Sequence, residues 1–394
     1  MLRGTPKRTP DLVHVSTFLQ GGAGRTIVDL AVHQQAVGLS PVVLATRSEE
    51  PSYQHYPEHL ARLASAGIPA LLIDSTFKRD PGLLLHAARF LVDAVDPSAL
   101  QLIHAHAATP SLVGILVRGL LQRRIPIVQT MHGWGIRKTV AQADADVAVL
   151  NSVDAVAAPS RAAGALLSEV GVTREITVVP CGLASDEPDT PQSPGVQLIA
   201  RLKGQRCRVI ACVGTLGSTK NQALLVDALP VIRASHDAVL VLIGEGSQEG
   251  LRMQSAACGV QDAVHCVGYD AHAAACIAAA DVLVLPSRSE SFGLSVVEAW
   301  RARTPVVVSD IPALAELVTD GVTGLIFRSD DPGDAARALS HVLGMATGAR
   351  TNLVNAGHAD FVRRFSLASM YSGYNTLYAT CAPDLMSGSR AVRT

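Results

Sequence analysis

Two carboxylates, Glu290 and Glu298, lie eight residues apart in the segment DVLVLPSRSESFGLSVVE at 281–298. Its first part, VLVLP, is an apolar, β-branched-rich run that predicts a buried strand. SRSESFG then predicts a polar loop, and SVVEAWRA predicts a helix capped by Ser291 or Ser295. Free N–H groups and the positive end of a helix dipole attract anions. The segment therefore predicts an anion site bracketed by two carboxylates, at the edge where open α/β sheets bind ligands.

A second loop has the same layout. The strand RVIACVG ends at Gly214, the loop TLGSTKN follows, and a helix is predicted from Gln222. Lys220 would lie near the start of that helix, where an ammonium group meets a phosphate. A solvated loop lysine is the alternative for Lys220 taken alone. The presence of two such anion sites in one domain favours phosphate binding.

The N-terminal part of the chain has weaker signals. QGGAGR at 20–25 is a glycine-rich turn between a predicted strand and a helix predicted over 26–38. Gly21 and Gly22 would let the backbone approach a ligand closely, although turn geometry alone also explains them.

Three histidines end predicted strands: His104 and His106 end one, and His132, within QTMHGWG, ends the next. A histidine pair without a third ligand at fixed spacing is weak evidence for a metal, so hydrogen bonding by His132 and packing by the pair are favoured. Asp144 and Asp146 form an Asp-x-Asp pattern in a helical context, where a solvated face is expected. We therefore assign no metal.

The composition excludes several classes of protein. The net charge is −1 over 394 residues, whereas nucleic-acid-binding proteins show a basic excess. No apolar run reaches the length of a membrane span, and the charged N-terminus is followed by too short an apolar run for a signal peptide. The seven cysteines are scattered and never spaced as Cys-x-x-Cys. Reduced thiols in a cytoplasmic protein are the simplest explanation.

Strands and helices alternate along the whole chain, which predicts parallel sheets. The segment ASDEPDTPQS at 184–193 is rich in proline and acidic residues and interrupts this alternation. We predict an α/β protein of two Rossmann-like open parallel-sheet domains facing a central cleft. The ranges are 1–183 for the first domain, 184–205 for a linker, 206–358 for the second domain, and 359–394 for a C-terminal helix and tail.

The sequence does not contain the motifs that define several enzyme classes. The chain contains neither Gly-x-Ser-x-Gly nor a Walker loop, which argues against an α/β-hydrolase and a P-loop NTPase. QGGAGR is not a clean Gly-x-Gly-x-x-Gly, and the strand at 41–45 ends without the acidic residue that binds a ribose. A nicotinamide-dependent dehydrogenase is therefore disfavoured.

Four segments together resemble the family 4 glycosyltransferases, which have the GT-B fold. They are ESFGLSVVE at 290–298, Gly214-x5-Lys220, LIGEG at 242–246, and EAWRARTPVVVSDIPALAELVTDGVTGLIF at 298–327. The resemblance is dense over 209–327 and looser before Pro180. It implies a retaining transferase that takes its sugar from a nucleotide-sugar co-substrate, expected to be UDP- or GDP-linked, usually without a metal or other cofactor. It also implies that the C-terminal helix within 359–394 packs back on the first domain.

The resemblance also implies roles for individual residues. Glu290 would contact the donor sugar, Glu298 would accept from the ribose hydroxyls, and Lys220 would bind the diphosphate. His132 would lie near the transferred sugar, and it forms the expected catalytic set with Glu290 and Lys220. The donor-binding set comprises Gly21, Gly22, Gly214, Thr215, Lys220, Gly246, Glu290, Ser291, Phe292, Gly293, Leu294, Ser295 and Glu298.

One position departs from the family pattern. Family members commonly carry Gly-Arg-Leu before the lysine, whereas this chain has Thr215 between Gly214 and Leu216. A charge-assisted bond to phosphate contributes on the order of 1.5–3 kcal/mol. Either Arg25, Arg137 or Arg288 compensates, or the donor is bound more weakly.

The sequence therefore predicts a glycosyltransferase that moves a hexose-type sugar to a hydroxyl acceptor. A weakly active nucleotide-sugar-binding protein and a GT-B phosphorylase or epimerase are the alternatives. The predicted acceptor loops are Ser48–His59 and Gly133–Val140, and the acceptor could be a carbohydrate, a lipid-linked sugar or a small molecule. Three arginines in RGLLQRRIP at 118–126 predict a solvated helix end, with peripheral contact to an inner membrane face as the alternative.

Overall fold

A computed structural model describes residues 8–47, 54–74, 79–135, 138–185 and 192–388. The chain forms two compact units. Unit 1 comprises 1–181 together with 370–394, and unit 2 comprises 182–369. Within the described ranges, no helix combines the length and the apolar content needed to cross a bilayer.

Unit 1 alternates strands and helices. Its elements are β1 (Leu12–Val15), α1 (Gly21–Ala36), β2 (Pro41–Thr46), α2 (Pro57–Ser65), β3 (Ala70–Ile73), α3 (Pro81–Ala94), β4 (Leu102–Ala105), α4 (Ala108–Leu121), β5 (Ile127–Thr130), α5 (Val140–Ser152), β6 (Ala155–Ala158), α6 (Arg161–Glu169) and β7 (Ile176–Val178). The seven strands are parallel and lie in the order β3-β2-β1-β4-β5-β6-β7. Most of these strands are buried along their whole length, as parallel strands covered on both faces must be.

Unit 2 repeats this plan. Its elements are α7 (Pro194–Gly204), β8 (Arg208–Val213), α8 (Gln222–Arg233), β9 (Ala238–Ile243), α9 (Glu249–Ala257), β10 (Val264–Gly268), α10 (Ala273–Ala279), β11 (Val282–Leu285), α11 (Leu294–Arg301), β12 (Val306–Ser309), α12 (Pro312–Leu317), β13 (Leu325–Phe327), α13 (Pro332–Gly344) and α14 (Thr347–Arg364). The parallel strand order is β10-β9-β8-β11-β12-β13. The chain ends with α15 (Leu367–Cys381) and α16 (Pro383–Gly388), and unit 1 resumes at Met370 within α15.

Each sheet has a point where the strand order reverses, between β1 and β4 in unit 1 and between β8 and β11 in unit 2. Loops leaving the carboxyl ends of two such strands diverge to opposite faces of the sheet and open a crevice. The loops after β8 and β11 are the two anion sites predicted from the sequence.

Two boundaries differ from the prediction. Helix α7 occupies the second half of the range 184–205 that was predicted as a linker, because Val196, Ile199 and Leu202 form an apolar stripe buried in the core of unit 2. The second unit also extends beyond residue 358. Helix α14 runs to Arg364 and packs Gly357 directly on the indole of Trp300, where a Cβ would lie 2.4 Å from a ring atom.

The first helix also begins earlier than predicted. Helix α1 starts at Gly21, so the glycine run is its first turn instead of a loop before it. Gly21 has a positive φ of 55°, which glycine adopts without strain. A Cβ at Gly24 would lie 2.5 Å from the carbonyl carbon of Leu19, so this turn can pack closely against Leu19 only because residue 24 is a glycine.

Candidate active site

Two loops of unit 2 are joined at the carboxyl edge of its sheet. Strands β8 and β11 are paired neighbours, so the loops that follow Val213 and Leu285 leave the sheet side by side. The backbone N–H of Arg288 donates to the carbonyl of Thr219 at 2.8 Å, and the guanidinium of Arg288 donates to the carbonyl of Ser218 at 3.3 Å. The two predicted anion sites therefore form one continuous structure.

Lys220 and Glu290, from these two loops, form a salt bridge. Glu290 also accepts a hydrogen bond of 2.8 Å from the hydroxyl of Ser287, whose own carbonyl accepts from Ser309 at 2.6 Å. Lys220 is 28% exposed and Glu290 is 11% exposed at the side chain. The carboxylate is thus held in place, and its cationic partner remains accessible to an anion.

Glycines let the Lys220 loop pack backbone against backbone on the loop after β9. A Cβ at Gly244 would lie 2.1 Å from the carbonyl oxygen of Gly214, and one at Gly246 would lie 2.6 Å from that of Leu216. The N–H of Leu216 donates to the carbonyl of Glu245 at 2.6 Å. Gly246, predicted to bind the donor, is exposed and is also required for this close packing.

Thr215 lies on this loop with an exposed side chain. The loop around it is held by Gln222, at the start of α8, which donates to the carbonyl of Thr215 at 3.2 Å and accepts from the N–H of Gly217 at 3.1 Å. Gln222 was missed in the sequence, although a side-chain amide at the first position of a predicted helix could have identified it.

Helix α11 begins differently from the prediction. Its N-cap is Gly293 with φ of 106°, and no side-chain hydrogen bond from the described residues caps it, so neither Ser291 nor Ser295 is the N-cap. A Cβ at Gly293 would lie 2.7 Å from Leu314, which explains why a serine cannot take that position. An uncapped first turn leaves N–H groups available to an anion.

The neighbours of Gly293 divide into buried and partly exposed residues. Phe292 is 7% exposed and packs against Phe365 with ring centroids 5.6 Å apart. Leu294, Ser295 and Glu298 are half-buried on α11. Phe292 therefore anchors the loop in the core of unit 2, and any donor contact at this position falls to its backbone.

Unit 1 presents Gly21 and Gly22 as exposed residues at the N-terminus of α1. Arg25, one candidate to compensate for Thr215, is paired with Asp29 at 3.7 Å. Arg137 and residues 48–53 of the predicted acceptor loop lie outside the described residues.

The strand-end histidines belong to an interior hydrogen-bond network. Nε2 of His14 contacts Oε1 of Gln34 at 2.7 Å, Nδ1 of His14 contacts Nε2 of His106 at 2.9 Å, and Nδ1 of His106 contacts Nε2 of His132 at 3.0 Å. We call Gln34, His14, His106 and His132 the histidine chain. His14, in the middle of β1, was missed because a histidine within LVHV is recognised as part of a network only once the pairing of β1 with β4 is known.

His104 lies beside the chain with both of its ring nitrogens engaged. Nδ1 contacts the hydroxyl of Tyr378 at 2.8 Å, and Nε2 contacts that of Thr130 at 2.8 Å. The ligand atoms of His14, His104 and His106 are close enough together to hold a metal ion. Because each of their ring nitrogens already has a hydrogen-bond partner, we interpret the cluster as a hydrogen-bond network.

Asp146, half of the Asp-x-Asp pattern, is not on a solvated face as predicted. It is 4% exposed and forms salt bridges with Arg79 at 2.5 Å and Lys138 at 2.7 Å, whereas Asp144 is exposed. The pairing arises because α5 directs its inner face toward these two cations. A carboxylate with two cationic partners is a poor metal ligand, since a metal would have to displace them.

Burial keeps the histidines neutral and predicts acid sensitivity of unit 1. Desolvation lowers the pKa of His14 and of His132 from 6.5 to about 4, and lowers the pKa of His104 and of His106 well below 6.5. Above pH 6.5 these rings are neutral in both the folded and the unfolded state. Below pH 6.5 the unfolded chain binds protons that the fold excludes, so the free energy of unfolding falls by about 2 kcal/mol per such histidine at pH 5.

The two tryptophans, Trp134 in unit 1 and Trp300 in unit 2, allow this to be measured. In a Trp300→Phe variant, the denaturation midpoint followed by Trp134 fluorescence should decrease between pH 7.5 and pH 5. A His14→Gln substitution in that background should make the decrease smaller. In a Trp134→Phe variant, the denaturation midpoint followed by Trp300 fluorescence should decrease less between pH 7.5 and pH 5. A midpoint for unit 1 that is independent of pH would contradict the expected proton uptake.

Two family models match the chain over most of its length. The model of Glycosyltransferase Family 4 matches residues 20–187, and that of Glycosyl transferases group 1 matches residues 207–345. The D-inositol 3-phosphate glycosyltransferase of Nocardia farcinica is 30% identical over 381 residues, which cover 84% of this chain and 80% of that protein. The chain belongs to glycosyltransferase family 4.

Other relatives of this family 4 glycosyltransferase extend the comparison. The phosphatidyl-myo-inositol mannosyltransferase of Mycobacterium leprae is 36% identical over 175 residues, 43% of this chain and 45% of that protein. The Anabaena protein HepE in complex with UDP and glucose superposes with a TM-score of 0.80 at 19% identity, covering 94% of this chain and 100% of HepE. A sucrose-phosphate synthase from Thermosynechococcus elongatus gives 0.75 at 20% identity, covering 94% and 98%. The predicted family, fold class and enzyme class are confirmed.

Proposed function

We propose that this family 4 glycosyltransferase moves a hexose from a nucleoside-diphosphate sugar, with UDP or GDP as the nucleotide, to a hydroxyl acceptor with retention of the anomeric configuration. The proposal is carried by the Lys220–Glu290 pair, which places an accessible cation and a fixed carboxylate at the carboxyl edge of the unit 2 sheet. Among the fold neighbours, HepE was crystallised with UDP and glucose. Residues Gly21, Gly22, Gly214, Thr215, Gly246, Ser291 to Ser295 and Glu298 are the proposed remaining donor contacts. His132 is proposed to complete the catalytic set with Lys220 and Glu290, beside the transferred sugar.

The chemistry requires two kinds of stabilisation. The departing diphosphate develops negative charge, which the ammonium of Lys220 and the free N–H groups of α11 can stabilise. The sugar develops positive charge at its anomeric carbon, which the carboxylate of Glu290 can stabilise. Neither role requires a metal or another cofactor, and we propose none.

Retention follows from front-face transfer. In this step the bond between the anomeric carbon and the diphosphate oxygen breaks while the acceptor oxygen bonds to the same face of the sugar. The acceptor proton passes to the departing phosphate oxygen, which has become the local base. No covalent enzyme intermediate is formed, so Glu290 acts electrostatically.

The acceptor class is the finer part of the proposal. Relatives are named for D-inositol 3-phosphate and phosphatidyl-myo-inositol, so cyclitols and their phosphates are the first acceptors to test. Contact with a membrane face has less support, because Arg118 is paired with Asp154 and Arg123 donates to the carbonyls of Pro97 and Ser98. Of these three arginines, Arg124 is largely exposed, at 88% of its side chain.

A panel experiment tests the proposal. UDP-, GDP- and ADP-sugars are incubated with the protein in the presence and absence of inositol, inositol 3-phosphate, phosphatidylinositol and glycan acceptors. Release of nucleoside diphosphate that depends on the acceptor would support transfer. An anomeric configuration of the product that matches that of the donor, determined by NMR, would support retention. Nucleotide binding without release from any pair would instead support a binding protein, and donor conversion without acceptor would support an epimerase.

Arg288 is the proposed replacement for the missing arginine at position 215. Its guanidinium pairs with Asp330 at 2.7 Å, directly beside the Lys220 loop, and is 49% exposed. Arg288→Ala should weaken UDP-sugar binding three- to tenfold, roughly the effect of one partly exposed charge-assisted contact, with a smaller change in kcat. Calorimetric titration with UDP measures this without turnover. Arg328→Ala is the matched control, since that side chain is 74% exposed and paired with Asp331 and Asp334; equal effects of both variants would contradict the assignment.

A further inference from the structure

The histidine chain runs without a break from Gln34 on helix α1 to His132, two residues beyond the end of β5. Its three contacts measure 2.7, 2.9 and 3.0 Å and join Gln34 to His14, His14 to His106, and His106 to His132. His14 and Gln34 are at most 1% exposed and His106 is 6% exposed. His132 is half-buried, and its Nδ1 has no hydrogen-bond partner among the described residues. The chain therefore has one interior end, at Gln34, and one end that can meet a ligand.

Neutral rings make such a chain directional. A neutral imidazole has one N–H donor and one lone-pair acceptor, so two rings in contact must present a donor to an acceptor. Burial lowers the pKa of all three rings, which favours the neutral form throughout. Once the proton position is fixed on one ring, it is fixed on all of them. The orientation of the Gln34 amide, at the interior end, therefore decides the tautomer of His132.

The contacts of Gln34 indicate which orientation holds. One amide atom lies 2.7 Å from Nε2 of His14, and the other lies 3.3 Å from the hydroxyl of Tyr378. The 2.7 Å contact lies in the normal range of an N–H···O hydrogen bond, so we assign the nearer amide atom as Oε1, which accepts from the N–H of His14. The amide Nε2 then donates to Tyr378, whose hydroxyl donates to Nδ1 of His104 at 2.8 Å. Both sides of Gln34 are satisfied in this orientation.

We propose that Gln34, His14 and His106 are positioning residues that hold His132 protonated on Nε2, so that its Nδ1 accepts a hydrogen bond from a substrate hydroxyl. The inference rests on the proposed function, which places His132 at the transferred sugar. Acceptance by Nδ1 selects for a hydroxyl at that point of the sugar, because an ether or deoxy group cannot donate. The network thus gives a specificity role to three residues that do not touch the substrate.

The tautomer is observable without any turnover. Two-bond ¹H–¹⁵N correlation spectra of the whole protein labelled at histidine distinguish a protonated Nε2 from a protonated Nδ1. We expect wild-type His132, assigned by its loss in His132→Gln, to carry its proton on Nε2 at pH 7.5. A proton on Nδ1, or an equal mixture of tautomers, would overturn the inference.

Variants at position 106 test the dependence on the network. His106→Leu removes the acceptor for His132 and should mix its tautomers and lower kcat about tenfold, the typical effect of one net hydrogen bond. His106→Gln retains a donor and an acceptor and should restore the tautomer and most of kcat. Thr130→Val is the matched control, since Thr130 contacts His104 and lies two residues from His132 but is not part of the histidine chain. This substitution should leave the tautomer of His132 unchanged.

The outcomes separate this inference from the proposed function. An unchanged His132 tautomer in His106→Leu would overturn the network, whether or not transfer is found. If the tautomer of His132 changes as expected in His106→Leu but the protein transfers no sugar, the proposed function is wrong and the hydrogen-bond network is still supported. Deoxy analogues of the donor sugar, each lacking one hydroxyl, test the acceptor role of Nδ1. If every such analogue is transferred as fast as the parent sugar, that role is wrong.

Discussion

Glu290→Gln is expected to lower kcat of sugar transfer by about 10²- to 10³-fold, the range seen when one electrostatic stabiliser of a transition state is removed. The glutamine can still accept from the hydroxyl of Ser287, which now holds the carboxylate at 2.8 Å. The substitution therefore removes the negative charge and preserves the shape. KM for the donor should change much less than kcat, because the charge matters most when the sugar becomes cationic.

The matched control for Glu290 is Glu249→Gln, an exposed glutamate in the first turn of α9 in the same unit. It should leave both kinetic constants unchanged. Thermal unfolding followed by circular dichroism should show that both variants remain folded, since the glutamine can keep the hydrogen bond from Ser287 and the Lys220 ammonium stays partly exposed to water. Turnover of Glu290→Gln close to that of the wild type would show that this carboxylate has no electrostatic role.

Lys220→Ala is expected to have the second large effect, on donor binding as well as on catalysis. The ammonium is the proposed contact of the diphosphate in both the ground state and the transition state. Removing it should weaken UDP binding by about tenfold or more and lower kcat/KM by roughly 10²-fold or more. Lys220→Arg should recover part of the binding, because arginine keeps the positive charge. Recovery should be incomplete, because its planar guanidinium group differs in shape from the compact ammonium group of lysine.

Titration calorimetry with UDP and steady-state kinetics give the two quantities separately. Lys203→Ala is the control, because Lys203 is also a partly exposed lysine of unit 2 but lies on α7 and donates to the carbonyl of Ala279. The double variant Lys220→Ala/Glu290→Gln should lose less than the sum of the single losses, since the two side chains contact each other. Additive losses would mean that the pair does not act as a unit.

The sequence predicted the parts of this site that depend on local patterns. Short β-branched runs such as VLVLP identify buried parallel strands, and the order of strands and helices places their carboxyl ends at one edge. The Lys220 and Glu290 loops could therefore be assigned to the same edge although they are 70 residues apart. That they form a direct salt bridge could not be predicted, because it depends on the pairing of β8 with β11.

The errors arose where tertiary packing overrides local preference. Ser291 and Ser295 are good N-cap residues, but Gly293 caps α11 because Leu314 leaves no room for a Cβ. The glycine run at Gly21 is typical of a loop, yet it forms a helical turn packed against Leu19. The histidine chain was missed because Gln34 and His14 come together only through the register of the sheet and the rotamer of one amide.

Unit 1 is built from two stretches of chain separated by the whole of unit 2, and this affects how the protein can be synthesised. Gln34 and His104 both depend on Tyr378, and Thr130 contacts Tyr374 at 3.1 Å. A ribosome makes about 5–20 residues per second, so the roughly 200 residues between Cys181 and Tyr378 take about 10–40 s. During that interval the nascent first sheet has buried polar groups without their final partners. Unit 2, which is continuous in sequence, can complete its fold first, and helix α15, which emerges after it, then supplies the tyrosines that close the interior of unit 1.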